Sequence, residues 1–149
     1  GRLFRSTTRW KPRPDRRGDA RCEMTTNGEM PALDPLTVVG RFNDAFNRHD
    51  VDGIMAMMAD DCVFENTRPA PDGTRYEGQE AVRAFWQQFF TNSPHARFEI
   101  TDLFASGDRC VVLWTYHWVK NGGAGHVRGV DVFRVRGGKV AEKLSYVKG

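Results

Sequence analysis

GGAGHVRGVDVFRVRGGKVAEKLSYV, residues 122–147, decides how the rest of this chain is read. Two strand-like runs, residues 125–135 and 139–147, flank the turn Arg136-Gly137-Gly138-Lys139. Side chains alternate along a strand. Val127, Gly129, Asp131, Phe133 and Val135 therefore share one face, and Arg128, Val130, Val132 and Arg134 share the other. Asp131 stands alone as a carboxylate among apolar neighbours. An ionised carboxylate is costly to bury unpaired, so Asp131 needs a proton, a partner or a function.

The preceding run, residues 109–120, offers His117 as that partner. A connection centred on Ala124 sets His117 directly opposite Asp131. One centred on Gly123 sets Thr115 opposite and makes His117 the diagonal neighbour. Opposed Cβ atoms lie ~5 Å apart and diagonal ones ~7–8 Å. Both registers keep odd-numbered residues together, so a buried Asp131–His117 pair is expected, either as an acid/base couple or as a structural pair. Trp114, Tyr116 and Trp118 then share the opposite face with Val130 and Val132. A patch of that size on an uncovered sheet face marks an interface, here a homodimer with Arg128 and Arg134 at its rim. With the facing reversed, the same aromatics line the pocket.

Upstream the pattern becomes helical. Asp34-Pro35 is an N-cap followed by proline at the first helical position. Val38, Phe42, Ala45 and Phe46 form one stripe to about Arg48. A short helix over residues 53–58 follows, then a turn at Ala59-Asp60-Asp61 and a strand over residues 62–66. Residues 67–77 read as a loop. Gly78 opens a third helix, in which Val82, Phe85, Trp86, Phe89 and Phe90 make the strongest helical stripe of the chain. Strands over 96–106, 109–120, 125–135 and 139–147 complete the order. Helices first and an antiparallel meander after them make an α+β fold.

At 149 residues and 40% apolar composition, the chain is sized for one domain with a sizeable core. The net charge of +3 is unevenly placed. Residues 1–30 carry eight of the 22 basic groups and four of the 19 acidic ones, which leaves 14 basic and 15 acidic groups elsewhere. The folded part has no nucleic-acid footprint. Residues 1–32 are too poor in large apolar groups to offset chain entropy, so they are expected to be a disordered basic tail or a spurious extension upstream of Met24 or Met30. The domain is then residues 33–149. Cys22, Cys62 and Cys110 form no spaced motif; Cys62 and Cys110 sit in apolar strands and read as reduced core residues of a cytoplasmic protein. No apolar run approaches the roughly 18 residues of a membrane span, and no membrane partner is expected. No metal-ligand spacing occurs, and neither a metal nor a cofactor is expected.

Val38-Val39, Asn47, Asp50-Val51-Asp52-Gly53-Ile54 and the run from Ala59 to Asn66 resemble the opening of ketosteroid isomerase and of its nuclear transport factor 2-like and SnoaL-like relatives. Gly78 with Ala81-Val82-Arg83-Ala84-Phe85 resembles the family's third helix. Val130 to Arg134 and Gly137 to Val140 resemble its closing hairpin. The similarity covers about residues 34–147. It implies a cone: a curved antiparallel sheet wrapped on three helices and enclosing an apolar pocket.

The departures from the family pattern are informative. Where ketosteroid isomerase keeps its base Asp this chain has Asn66, and where it keeps the oxyanion Tyr this chain has Phe42; only the third position survives, as Asp131. Steroid isomerisation by that mechanism is excluded, since neither replacement can move the proton required. Limonene epoxide hydrolase, another relative, shares the Asn at position 66. Its Tyr becomes Phe64 and its last-strand Asp falls near Ser145. SnoaL-type cyclases imply an Asp–His arrangement, which Asp131 and His117 would supply.

The expected function is a small-molecule pocket protein, an acid/base isomerase, cyclase or dehydratase acting on a largely apolar carbonyl ligand. Asp131, His117 and Asn66 are the expected catalytic groups, and Phe42, Phe64, Phe85, Trp86, Thr115 and Phe133 the expected pocket wall. The alternative is a non-catalytic ligand-binding or dimerisation module of the same fold.

Overall fold

A computed structural model describes residues 32–149 of the protein. The expectation for the tail falls, but for Ala32, outside the described residues. Helix α1 spans Pro35–Asn47. Its first turn is fixed by Asp34, whose carboxylate accepts from the Thr37 N–H at 3.0 Å and from the Thr37 hydroxyl at 2.8 Å. Its last residue is pinned to the sheet, because the Asn47 amide both donates to and accepts from the Phe98 backbone at 3.0 Å. Helix α2, Val51–Ala56, is capped by Asp50, which accepts from the Gly53 N–H at 2.9 Å. Helix α3 is Gly78–Asn92. The Gln79 side chain donates to the Met55, Met58 and Ala59 carbonyls, satisfying acceptors where α2 hands over to the sheet.

The strands are β1 Met58–Glu65, β2 Arg75–Glu77, β3 Arg97–Ser106, β4 Arg109–Lys120, β5 Gly123–Arg136 and β6 Lys139–Val147. They form one curved sheet in the order β2-β1-β6-β5-β4-β3. Three local expectations change. The Ala59-Asp60-Asp61 turn belongs to β1, which starts at Met58 and is irregular in pairing as far as Val63. The loop after Asn66 contains β2, paired antiparallel to β1. The sheet is antiparallel except where β1 and β6 run parallel. Parallel pairing there follows from α3 and the β3–β5 meander intervening between the two strands.

Helices cover one face of the sheet, which is the inner face. Val38, Phe42 and Phe46 of α1 and Trp86 and Phe90 of α3 bury against Phe64, Val112, Trp114 and Phe133. The rings meet edge to face: Phe42 on Phe133 at 5.4 Å and Phe46 on Trp86 at 5.5 Å. Each such side chain contributes about 1.5–3 kcal/mol by leaving water. Cys62 and Cys110 lie in the same core as free thiols, and burial pushes both thiols up from their ordinary value.

Two connections decide which side chains share the inner face. Between β4 and β5 the loop is Asn121-Gly122 alone, with φ of 52° and 76° and Lys120 paired to Gly123. That is the two-residue hairpin turn in which both central residues are left-handed. It is tighter than the loop expected through Gly125. It pairs even residues of β4 with odd residues of β5, so Val112 opposes Asp131 and His117 opposes His126. Between β5 and β6 the turn is Gly137-Gly138, with φ of 58° and 74°. Val135 pairs with Val140, but Arg134 pairs with Glu142, so Ala141 is an extra residue on β6. This bulge reverses the alternation along β6 and brings Phe133 opposite Lys143 and Asp131 opposite Ser145.

Candidate active site

The inner face and the helices enclose a cavity of about 320 Å³. Its wall is mainly aromatic: Phe42 and Phe46 from α1, Phe64 from β1, Phe85, Trp86 and Phe89 from α3, Phe98 from β3, and Trp114 and Tyr116 from β4. Gly129 makes room for this wall. A Cβ there would collide with Trp114 Cη2 and with the Tyr146 carbonyl, so the indole packs against the bare backbone of β5.

Three polar groups cluster at one point of the wall, apart from its other polar members Asn43, Asn66, Thr67 and Arg68. Asp131, Lys143 and Ser145 project from adjacent strands into the cavity. Lys143 Nζ lies 2.9 Å from Asp131 Oδ2 and donates to Ser145 Oγ at 2.7 Å. The Ser145 hydroxyl donates in turn to Asp131 Oδ1 at 2.7 Å. Asp131 and Lys143 are the only charged residues fully buried among the described residues. The Lys143 ammonium stands over Phe64 at 4.9 Å, with Phe133 and Trp86 rings at 5.7 and 5.8 Å. Burial pushes the Lys143 amine down from its ordinary value, against the pull of the Asp131 carboxylate. Lys143 thus gives up a proton more readily than a surface lysine, and its proton has two acceptors in reach.

The wall also carries donors with nothing to bind. The Trp86 and Trp114 indole nitrogens and the Asn43 amide nitrogen are buried without a partner among the described residues, and all three residues line the cavity. An unmet buried donor costs about 1–3 kcal/mol.

Asp131, Phe42, Phe64, Phe85, Trp86 and Asn66 all reach the cavity wall. Phe133 shares their face but lies beneath it, fully buried against Phe42. Asn66 is occupied structurally: its Oδ1 accepts from the Arg68 and Thr74 N–H groups at 3.1 and 2.8 Å and closes the loop between β1 and β2. His117 and Thr115 do not belong to the site. The two-residue turn puts both on the outer face, where His117 Nε2 meets Glu99 Oε2 at 3.1 Å. The partner of Asp131 is Lys143, not His117.

The same register moves the aromatics. Trp114 and Tyr116 line the cavity, and the Trp118 ring lies tilted beside Tyr116, 5.8 Å away, on the same face. Val130 and Val132 stay on the outer face, so the five residues expected at a dimer interface do not form one surface. Lys143 and Ser145 were missed in the sequence because simple alternation from Val140 puts Leu144 and Tyr146 on its face. The Asn-Gly pair at 121–122 was a legible signal for the β4–β5 register; nothing in the residues marks the bulge at Ala141.

Residues 39–143 match the SnoaL-like domain. The chain belongs to the SnoaL-like domain family. Among solved structures, this SnoaL-like domain is similar to an NTF2-like protein of unknown function from Mesorhizobium loti, with 40% identity over 76% of this chain and 89% of that one and a TM-score of 0.67. A second NTF2-like protein of unknown function, from Burkholderia pseudomallei, is 24% identical over 75% of this chain and 88% of that one, with a TM-score of 0.66. A candidate polyketide cyclase from Xanthomonas campestris is 25% identical over 75% and 88%, with a TM-score of 0.63. No curated protein matches significantly. The neighbours establish the cone fold, with its curved sheet and helices. Among the described residues no helix is long and apolar enough to cross a membrane.

Proposed function

We propose that this SnoaL-like domain binds a small, largely apolar carbonyl compound and moves a proton next to its carbonyl group. The observation that carries this reading is the ring formed by Asp131, Lys143 and Ser145 in the wall of a largely aromatic cavity. The aromatic wall favours a flat, apolar ligand. The Lys143 and Ser145 donors in the wall favour one with an oxygen acceptor. The Asp131 carboxylate would accept the proton from the carbon beside the carbonyl, and Lys143 would answer the charge that develops on oxygen. Isomerisation, aldol-type cyclisation and dehydration all begin with that step. Similarity to a candidate polyketide cyclase supports the same substrate class.

The second reading is a binding module without turnover. The replacement of the expected base and oxyanion donor by Asn66 and Phe42 favours it, since both now serve structure: Asn66 closes a loop and Phe42 fills the core. Proton exchange separates the two. Benzylacetone in deuterated buffer should lose its α-proton NMR signals faster with the wild type than in buffer, and Asp131→Asn should abolish that gain. Saturable quenching of indole fluorescence by benzylacetone without any gain in exchange would decide for the binding module.

A further inference from the structure

We infer that Lys143 forms an imine with the carbonyl carbon of a ligand in this cavity. The inference rests on the reading of the cavity as a carbonyl site and adds a covalent step to it.

The placement of Lys143 is what calls for an account. A lysine stem is long enough to carry its ammonium to water, and lysine is almost never fully buried without reason. Here the side chain ends inside the cavity wall, over the Phe64 ring, with its nitrogen held by Asp131 and Ser145. Stability gives little reason for the arrangement. A buried ion pair seldom outperforms apolar residues of the same volume, because desolvation offsets its attraction. What burial does provide is a reactive amine. A lysine desolvated in an apolar pocket spends more of its time as the free nucleophile.

The three polar groups match the needs of the reaction. Nζ passes a proton to Asp131 Oδ2, which frees its lone pair for attack on the carbonyl carbon. The C–N bond forms as the carbonyl π bond opens, and the oxygen takes a proton from Asp131 to give a carbinolamine. The nitrogen, now cationic, then loses one of its two protons to Asp131, directly or through Ser145 Oγ, which lies within 2.7 Å of both partners. Returned to the hydroxyl, that proton lets the C–O bond break and water leave. A carbonyl and an amine become an imine and water, with no change in oxidation state. Once formed, the protonated imine draws electrons from the neighbouring carbon more strongly than the ketone does.

Reductive trapping tests this. The full-length protein is incubated with benzaldehyde and sodium cyanoborohydride, and the intact mass and tryptic peptides are measured. Benzaldehyde has no α-proton, so trapping is independent of proton exchange. The expected result is one adduct per chain, heavier by benzaldehyde less its oxygen, with tryptic cleavage lost at Lys143. Lys143→Arg should lose that adduct. Mapping the label on the wild type keeps the test decisive if the variant does not fold. Label on Lys120, Lys139 or Lys148 but not on Lys143, with indole fluorescence saturably quenched by benzaldehyde, would overturn the imine and leave the cavity reading standing. Neither quenching nor label at Lys143 would overturn both.

Discussion

The same sheet carries two acid–base pairs on opposite faces. On the inner face Lys143 meets Asp131 at 2.9 Å with side chains 7% and 5% exposed. On the outer face His117 meets Glu99 at 3.1 Å with side chains 45% and 59% exposed. The distances are nearly equal, so distance does not separate them. Solvent does. Water screens and competes for the outer pair, which leaves such contacts worth about 0–1 kcal/mol. The inner pair is shielded from solvent, so when one partner goes the remaining charge must be neutralised or left poorly solvated. The inner pair is therefore the place where a single substitution is felt by the whole fold.

Removal of Lys143 is the most direct way to break the comparison. Lys143→Met leaves the Asp131 carboxylate buried with only Ser145 for company, and stability should fall by about 3–5 kcal/mol in urea unfolding at neutral pH. The double variant Asp131→Leu, Lys143→Met should recover most of that loss, because it removes both charges and keeps the volume. A double variant as unstable as the single would mean that the pair itself, rather than the orphaned charge, holds the fold.

A pH series sharpens the contrast. Folded Lys143 gives up its proton more easily than the unfolded residue, whose ordinary value is 10.5. Between the two values the unfolded chain binds more protons, so stability rises with pH there, by up to about 1.4 kcal/mol per pH unit, and the gain is absent below the lower value. Referred to the double variant, in which the Cys62 and Cys110 thiols still titrate and cancel, wild-type stability should climb as pH approaches 10.5. A flat difference would show that Asp131 holds the ammonium fully charged.

The smallest effect is expected outside. His117→Ala should change stability by no more than about 1 kcal/mol and leave proton exchange and imine trapping unchanged. A loss of exchange would restore His117 to the site and break the assignment of faces.

The helices and their order were legible because their signals are local. Asp34 followed by Pro35, the stripe from Val38 to Phe46, and the stripe from Val82 to Phe90 each lie within one element, and all three appear in the fold. The aromatic wall from Phe42, Phe64, Phe85 and Trp86 was legible for the same reason, together with the resemblance that set these elements around a pocket. Asp131 was legible because an acid between valine and phenylalanine contradicts its own strand. Its partner was not. Choosing between His117 and Lys143 required the parity of two strand pairings, and parity depends on counting residues in connections.

By itself the sequence determined the α+β order, the family, the apolar stripes and the one carboxylate that had to be explained. Only the tertiary structure decided which side chains face it. A one-residue change in register turns a strand's side chains to the other face. The two-residue turn at Asn121-Gly122 sent His117 outward and the tryptophan strand inward, and the extra residue at Ala141 brought Lys143 and Ser145 in. Alternation has a period of two and carries no memory of where it started, so the residues of β6 are compatible with either face. The packing of the whole sheet against α1 and α3 selects one.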